Sequence, residues 1–391
     1  MPASPIRFLE PVAHAARERG VHILHLNIGQ PDIETPEVSW DAIRSFEDKV
    51  LAYSPSAGIH PLRQRIAEHY STLGGGPIAP EQVVVTTGGS EAILFTLMAL
   101  CDPGDEVVAP EPFYTNYNQF SHLAGCVVKP VPTDISDGFH LPADDAFEKA
   151  IGPRTRAIIL CNPGNPTGVV FRRDELERVA QIAARHGLAV IGDEVYREFI
   201  YDGRRHHSVL SLDPIRDSAI LIDSMSKRFS ACGARIGAMA TRNAALTDAV
   251  TRICQARLSP PTLGQHALFA ALTLGPDYFN DLRQRWQRRR DVLCQGLEKI
   301  EGVFFRSPEG AFYVIAKLPV PDASHFCRWL LESFESDRET VMLAPVAGFY
   351  ATPGRGLDQV RIAYVLEEDR LQRATEILAE ALDKFRSTTH R

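Results

Sequence analysis

Four short polar segments of this 391-residue chain carry residue types from which a catalytic site could be built. They are Thr87-Gly88-Gly89-Ser90-Glu91-Ala92, Asn162-Pro163-Gly164-Asn165-Pro166-Thr167-Gly168, Asp193-Glu194-Val195-Tyr196 and Ser224-Met225-Ser226-Lys227. The first opens a helix, where free backbone N–H groups suit an anion. The others offer amide, carboxylate, phenol, hydroxyl and amine groups, the types that serve acid–base and amine-nucleophile chemistry. Taken singly, each has an ordinary reading. Gly-Gly-Ser before a helix is a turn and an N-cap. Asn-Pro-x-Asn-Pro is a structural turn. Ser-Lys is a common dipeptide, and an Asp at a strand end caps something nearby. Their weight comes from following predicted strands, in one order along the chain. Ligands of open α/β sheets bind at the carboxyl ends of strands, so four strand ends direct polar groups at one crevice.

The elements that must position them are legible as well. Strands are predicted at residues 83–87, 106–109, 157–161, 188–192, 219–223 and 236–240. Most are short, rich in Val, Ile and Ala and nearly continuous in apolar character, as in strands of a parallel sheet buried on both faces. The intervening stretches are helical, for example 174–186 with Gly187 as its stop. This predicts an α/β core. Before it lie a helix, an extended piece at 22–27 and the turn-rich Gly29-Gln30-Pro31-Asp32. After it come a long polar helix at 276–300, strands at 303–305, 311–316, 341–344 and 360–365, a helix near 324–333 and a closing helix, together a smaller α+β domain. The expected division is an N-terminal arm with part of the small domain (1–45), a large domain (46–290) and a C-terminal small domain (291–391). The basic run from Arg283 to Arg290 predicts a solvated helix face.

Composition excludes several classes of function. The net charge of −7 advertises no basic surface for nucleic acid or anionic membrane. Seven cysteines without a CxxC pair and without a secretory signal predict thiols, not a disulfide framework. The thirteen histidines show no metal-binding spacing, so no metal is expected. No apolar run reaches membrane-spanning length, and a cytoplasmic protein is expected.

With these residues in view, the chain resembles the class I aminotransferases of the fold-type I pyridoxal-phosphate enzymes. The sharpest match is residues 224–237, SMSKRFSACGARIG, against the family's SxSKxFxxxGxRxG; Ala234 stands where many members carry Trp. Residues 53–63, YSPSAGIHPLR, match YxxxxGxxxLR, and the likeness runs from Asn27-Ile28-Gly29-Gln30-Pro31-Asp32 to Val360-Arg361-Ile362-Ala363-Tyr364. Residues 255–261 and 344–350 are similar to bacterial aspartate aminotransferases.

The resemblance implies a mostly parallel, seven-stranded-type sheet covered by helices, a smaller α+β domain, and pyridoxal 5′-phosphate attached through Lys227. Asp193 is then the partner of the pyridine nitrogen, Tyr196 and Asn165 those of the phenolic oxygen, and Tyr114 the aromatic on the ring face. Gly89, Ser90, Ser224, Ser226 and Arg235 are expected at the phosphate, where a guanidinium gives a bidentate contact that lysine cannot. Tyr53 is expected to reach the phosphate of a neighbouring subunit, making the working unit a homodimer with shared sites. Arg361 is expected to take the substrate α-carboxylate, assisted by Asn165 and the backbone at Gly29. Arg257 is a candidate for a distal substrate carboxylate. The activity implied is ping-pong transamination between an amino acid and a 2-oxo acid, led by aspartate and 2-oxoglutarate. Aromatic or branched-chain transamination and C–S β-lysis share the same cofactor site. A non-catalytic sensor on this fold would carry a DNA-binding domain, for which the stretch before the family-like region is too short.

Overall fold

The computed structural model describes residues 7–389. After a first helix, Glu10–Glu18, comes strand β1 (His22–His25). The large sheet is built from β2 (Val83–Thr86), β3 (Glu106–Glu111), β4 (Val127–Pro132), β5 (Thr155–Cys161), β6 (Ala189–Asp193), β7 (Ala219–Ser224) and β8 (Gly237–Thr241). Its order is β2-β8-β7-β6-β5-β3-β4, and every strand is parallel except β8, which runs antiparallel to β2 and β7. Helices Gly88–Leu100, Asn116–Leu123 and Arg173–His186 return the chain between parallel strands, as such pairing demands. Arg173–His186 ends at Gly187, φ +64°, as expected of its stop.

Burial on both faces explains the unbroken apolar runs. Successive strand residues alternate between two cores: Ile158, Leu160 and Leu221 enter one, and Ala157, Ile159 and Ile220 the other. The strand that sequence reading passes over is β4. Its Pro130 and Pro132 argue against a strand, but β4 pairs with β3 alone, at the sheet edge, where missing N–H groups are tolerated.

The smaller unit holds β9 (Phe304–Phe305), β10 (Tyr313–Lys317), β11 (Glu339–Met342), β12 (Ala344–Pro345) and β13 (Gln359–Ala363). Four of these form an antiparallel sheet, β12-β13-β10-β9, while β11 pairs in parallel with β1. The N-terminal segment thus pairs with a strand from the C-terminal part of the chain. The helix Pro276–Leu297 passes through the predicted boundary without a break.

This helix corrects the reading of the basic run. Leu282, Trp286, Arg289, Arg290, Leu293 and Leu297 are buried, at the spacing of one helical face. Trp286 is fully buried and stacks on Phe312 with ring centroids 4.7 Å apart. Arg289 spans Asp32 (2.5 Å), Glu367 (2.5 Å) and the Val365 carbonyl (2.8 Å), while Arg290 pairs with Asp202. Arg283, Arg285 and Arg288 do lie near the surface, against acidic neighbours such as Asp281 and Glu368. Two of the run's five arginines, Arg289 and Arg290, are thus internal: guanidinium groups enter because carboxylates and carbonyls meet them.

Because Trp286 stacks in a full core, Trp286→Ala should cost about 3–5 kcal/mol. A urea titration followed by far-UV circular dichroism should show a clearly lowered midpoint, and Trp286→Phe should recover most of it.

Candidate active site

A cleft of ≈ 570 Å³ opens at the carboxyl ends of the large-sheet strands. Into it come Gly89 and Ser90 after β2, Tyr114 after β3, Asn165 after β5, Asp193 and Tyr196 after β6, and Ser224, Ser226 and Lys227 after β7. Arg235 enters just before β8. From the small unit come Tyr313 on β10, Arg361 on β13 and the Ile28-Gly29-Gln30 strap that follows β1. All the predicted residues except Tyr53 and the candidate Arg257 line this one cleft. Tyr53 is 79% exposed and lies outside it.

Lys227 Nζ donates to the Gly29 carbonyl at 2.8 Å. Loss of solvation pushes its amine below the ordinary lysine range; Arg361 and Arg235 push the same way, while Cys232 and Asp193 oppose. Gly29 allows the strap to pass this close, since a Cβ there would meet the Tyr313 hydroxyl at 1.7 Å.

Asp193, 4% exposed, accepts from the Tyr117 hydroxyl through Oδ2 at 2.6 Å, while Oδ1 is buried with no hydrogen-bond partner. Burial raises its carboxyl to about 6, with the Tyr117 bond pulling back. Arg361 is 2% exposed. It donates to Asn165 Oδ1 at 3.1 Å and to the Asn27 carbonyl, lies 4.6 Å over the Tyr313 ring and leaves Nε unpartnered. The Tyr196 and Tyr313 hydroxyls are 2.9 Å apart, and Asn165 Nδ2 lies 3.4 Å from Tyr196 Oη.

The other end of the cleft is an anion cradle. Gly88 adopts φ +78°, and a Cβ there would meet the Arg235 guanidinium at 2.6 Å. Glycine therefore lets Arg235 lie against the start of the Gly88–Leu100 helix, whose first N–H groups lack intrahelical partners. Ser224 Oγ accepts the Ser226 N–H at 3.1 Å and lies 2.8 Å from Ser226 Oγ, so both hydroxyls join the cradle.

Several lining groups escaped the sequence reading. Tyr117 is one helical turn beyond Tyr114, and Tyr313 sits in an apolar strand; nothing in either context marks a polar role. Arg7, Asn116 and Gln119 also line the cleft. Arg257 does not: it packs on Glu91 (3.4 Å) and the carbonyls of Ser56 and Val85. Among the described residues, no group of His, Cys, Asp and Glu is arranged to hold a metal ion.

With this geometry in hand, comparison with known proteins is direct. The family model for aminotransferase class I and II matches residues 21–378. A probable aspartate/prephenate aminotransferase of Thermus aquaticus is 34% identical over 370 residues, covering 94% of this chain and 93% of that protein. An aspartate aminotransferase of Rhizobium meliloti is 32% identical, covering 95% and 92%. Among solved structures, Thermus thermophilus aspartate aminotransferase with maleate superposes with a TM-score of 0.88 at 31% identity, covering 97% of each chain. An alanine aminotransferase from Pyrococcus furiosus gives 0.89 at 29% identity, covering 98% of each.

The raised carboxyl of Asp193 has a consequence for stability. Between the ordinary value of 3.8 and about 6 the folded chain holds a proton that the unfolded chain releases, so stability falls as pH rises through that window. In cofactor-free protein, Asp193→Asn should raise the thermal midpoint relative to wild type above pH 6, and the gap should close as pH falls below it. Differential scanning calorimetry across that range checks this; a lower midpoint at every pH contradicts it.

Proposed function

The chain belongs to the class I and II aminotransferases, and from that premise we propose that this transaminase moves the amino group of aspartate, as lead donor, to 2-oxoglutarate, as lead acceptor, in a ping-pong cycle. The observation that carries the reading is the convergence on one cleft of Lys227 Nζ, the unpartnered Asp193 Oδ1 and the buried Arg361 guanidinium. The Thermus relative's name adds prephenate to the acceptors worth testing.

The residues fit pyridoxal 5′-phosphate. A buried carboxylate oxygen without a partner suits a protonated ring nitrogen, and the cradle at Gly88 and Arg235 suits a phosphate dianion. When bound, the cofactor supplies an electron sink for the substrate α-carbon. The protein's own work is positioning and proton control. Lys227 would hold the cofactor through its amine, and its depressed basicity favours the unprotonated form that attachment needs. Its free amine would be the base placed to take the proton from the substrate α-carbon. Asp193 keeps the ring nitrogen protonated, and Tyr117 orients that carboxylate. Tyr196 and Asn165 donate to the cofactor's phenolic oxygen, and Tyr114 covers a ring face. Gly89, Ser90, Ser224, Ser226 and Arg235 hold the phosphate. Arg361 grips the α-carboxylate, with Asn165 and the Gly29 backbone beside it.

Tyr53 belongs to a second site in this proposal: it reaches the phosphate of the neighbouring subunit. Its 79% exposure, with Val50 at 73% and Leu51 at 62%, supports a surface that a homodimer covers. A cytoplasmic setting fits seven cysteines that are all free thiols.

The test is a spectral cycle. Protein loaded with pyridoxal phosphate should show a visible band that bleaches with aspartate and returns with 2-oxoglutarate. A band that ignores aspartate but answers to an aromatic or branched-chain amino acid moves the donor and keeps the class, and pyruvate released from cystathionine turns the reading to a lyase. Absence of any band overturns the reading. Arg361→Gln should lower kcat/KM about 10²–10³-fold, the cost of losing one partner of an enclosed charge pair.

A further inference from the structure

One buried carboxylate has no part in the chemistry above. Asp223 is the next-to-last residue of β7, is 2% exposed and does not line the cleft. Its Oδ1 accepts the Ser224 N–H at 2.7 Å. Its Oδ2 accepts from the Tyr70 hydroxyl at 2.8 Å, from Arg197 Nη2 at 2.6 Å and from Arg228 Nη2. Burial works against its charge, but Arg197, Arg228 and the Tyr70 bond outweigh burial and hold the carboxyl below the ordinary range.

Its partners adjoin the reactive groups in sequence. Arg228 follows Lys227, and Arg197 follows Tyr196. Lys227 sits on the helix Met225–Arg228, a single turn with Ser224 as its N-cap. One turn of helix does not hold its shape alone, because the nucleus costs more than its few bonds return. Asp223 ties this turn at both ends: the Ser224 N–H through Oδ1 and the Arg228 guanidinium through Oδ2. The same Oδ2 grips Arg197, in the turn that follows β6. Glu198 is the second acid of the network, 3.6 Å from Arg197 and 3.7 Å from Arg228, so each guanidinium faces two carboxylates. His69 lies 3.4 Å from Arg228 Nη1; burial and the two arginines push it down to about 3, so it adds no charge. A buried network paired in this way fixes geometry, since every unpaired alternative is costly.

We infer that Asp223 is a positioning residue for cofactor attachment and proton transfer: through Arg228 and Arg197 it fixes the backbone that carries Lys227 and Tyr196. The inference rests on the proposed roles of those two residues and adds the group that aligns them. A carboxylate with a structural role alone would affect stability alone. A positioning carboxylate also sets the rate of steps at Lys227 Nζ, where misplacement by roughly 1 Å costs on the order of a hundredfold.

The test compares Arg228→Met, Arg228→Lys and Asp223→Asn with wild type, each well below its thermal midpoint. Arg228→Met leaves Asp223 paired with Arg197 and Tyr70, so it keeps its fold whatever the outcome for Asp223→Asn. Two rates are read: attachment of pyridoxal phosphate to cofactor-free protein, followed at the visible band, and kcat of the holoenzyme with aspartate. Arg228→Met should slow both about tenfold to a hundredfold, with KM for aspartate within about threefold because Arg361 is untouched. Arg228→Lys keeps the ion pair and should recover most of both rates. Where Asp223→Asn folds, it should slow both rates similarly, and adding Arg228→Met to it should cost little more, as for groups that act as one unit. A lowered thermal midpoint with both rates unchanged overturns the inference, and so do losses that multiply in the double variant. A wild type that attaches the cofactor but turns over no donor defeats transamination, and the attachment rate then decides the role of Asp223. A wild type that takes up no cofactor defeats both.

Discussion

Asp193 ends β6 with one carboxylate oxygen bonded to Tyr117 at 2.6 Å and the other buried without a partner. Enclosing a carboxylate this way works against folding, and it raises the group's proton affinity. The surrounding architecture makes such an arrangement tolerable. β6 lies inside the sheet, flanked by β5 and β7. Two apolar cores press on its faces. The unsatisfied oxygen is a local cost carried by a large, well-packed scaffold, and it marks where a ligand is to supply the missing donor.

The same logic runs through the rest of the cleft. Lys227 is desolvated and sits among like charges. Arg361 is enclosed with Nε unpartnered and rests on aromatic rings. Arg235 lies against a helix start, where backbone and side chain repel cations together. Each is unfavourable in isolation, and together they give the cleft the complementarity that the proposed dianion, ring cation and carboxylate would need. The small unit contributes Arg361, Tyr313 and the strap to this arrangement. Its strap passes within 2.8 Å of Lys227, and Arg289 on the long helix holds Asp32 at the far end of that strap. Packing of the small unit and geometry of the cleft are therefore coupled.

Much of this was readable from sequence because the parallel sheet forces it. Strands covered on both faces must be apolar throughout, so the polar residues at their ends stand out, and the four segments ending at Ala92, Gly168, Tyr196 and Lys227 do converge. The failures have physical causes. β4 carries prolines that only an edge position tolerates. Arg289 and Arg290 look solvated in a run of basic residues, yet carboxylates from distant segments draw them inside. Tyr117 stands between two asparagines and Tyr313 in an apolar strand, and only the fold turns their hydroxyls toward Asp193 and Tyr196. Arg7 precedes the stretches that carry recognisable motifs, and only the fold brings it to the cleft.

The central claim is that these groups converge on a cofactor held through one particular amine. Borohydride reduction of the protein loaded with pyridoxal phosphate, followed by proteolysis and peptide mass analysis, tests it most directly. The account predicts a single pyridoxyl mass increment, on the peptide containing Lys227. An increment on a different lysine, or none, would contradict it.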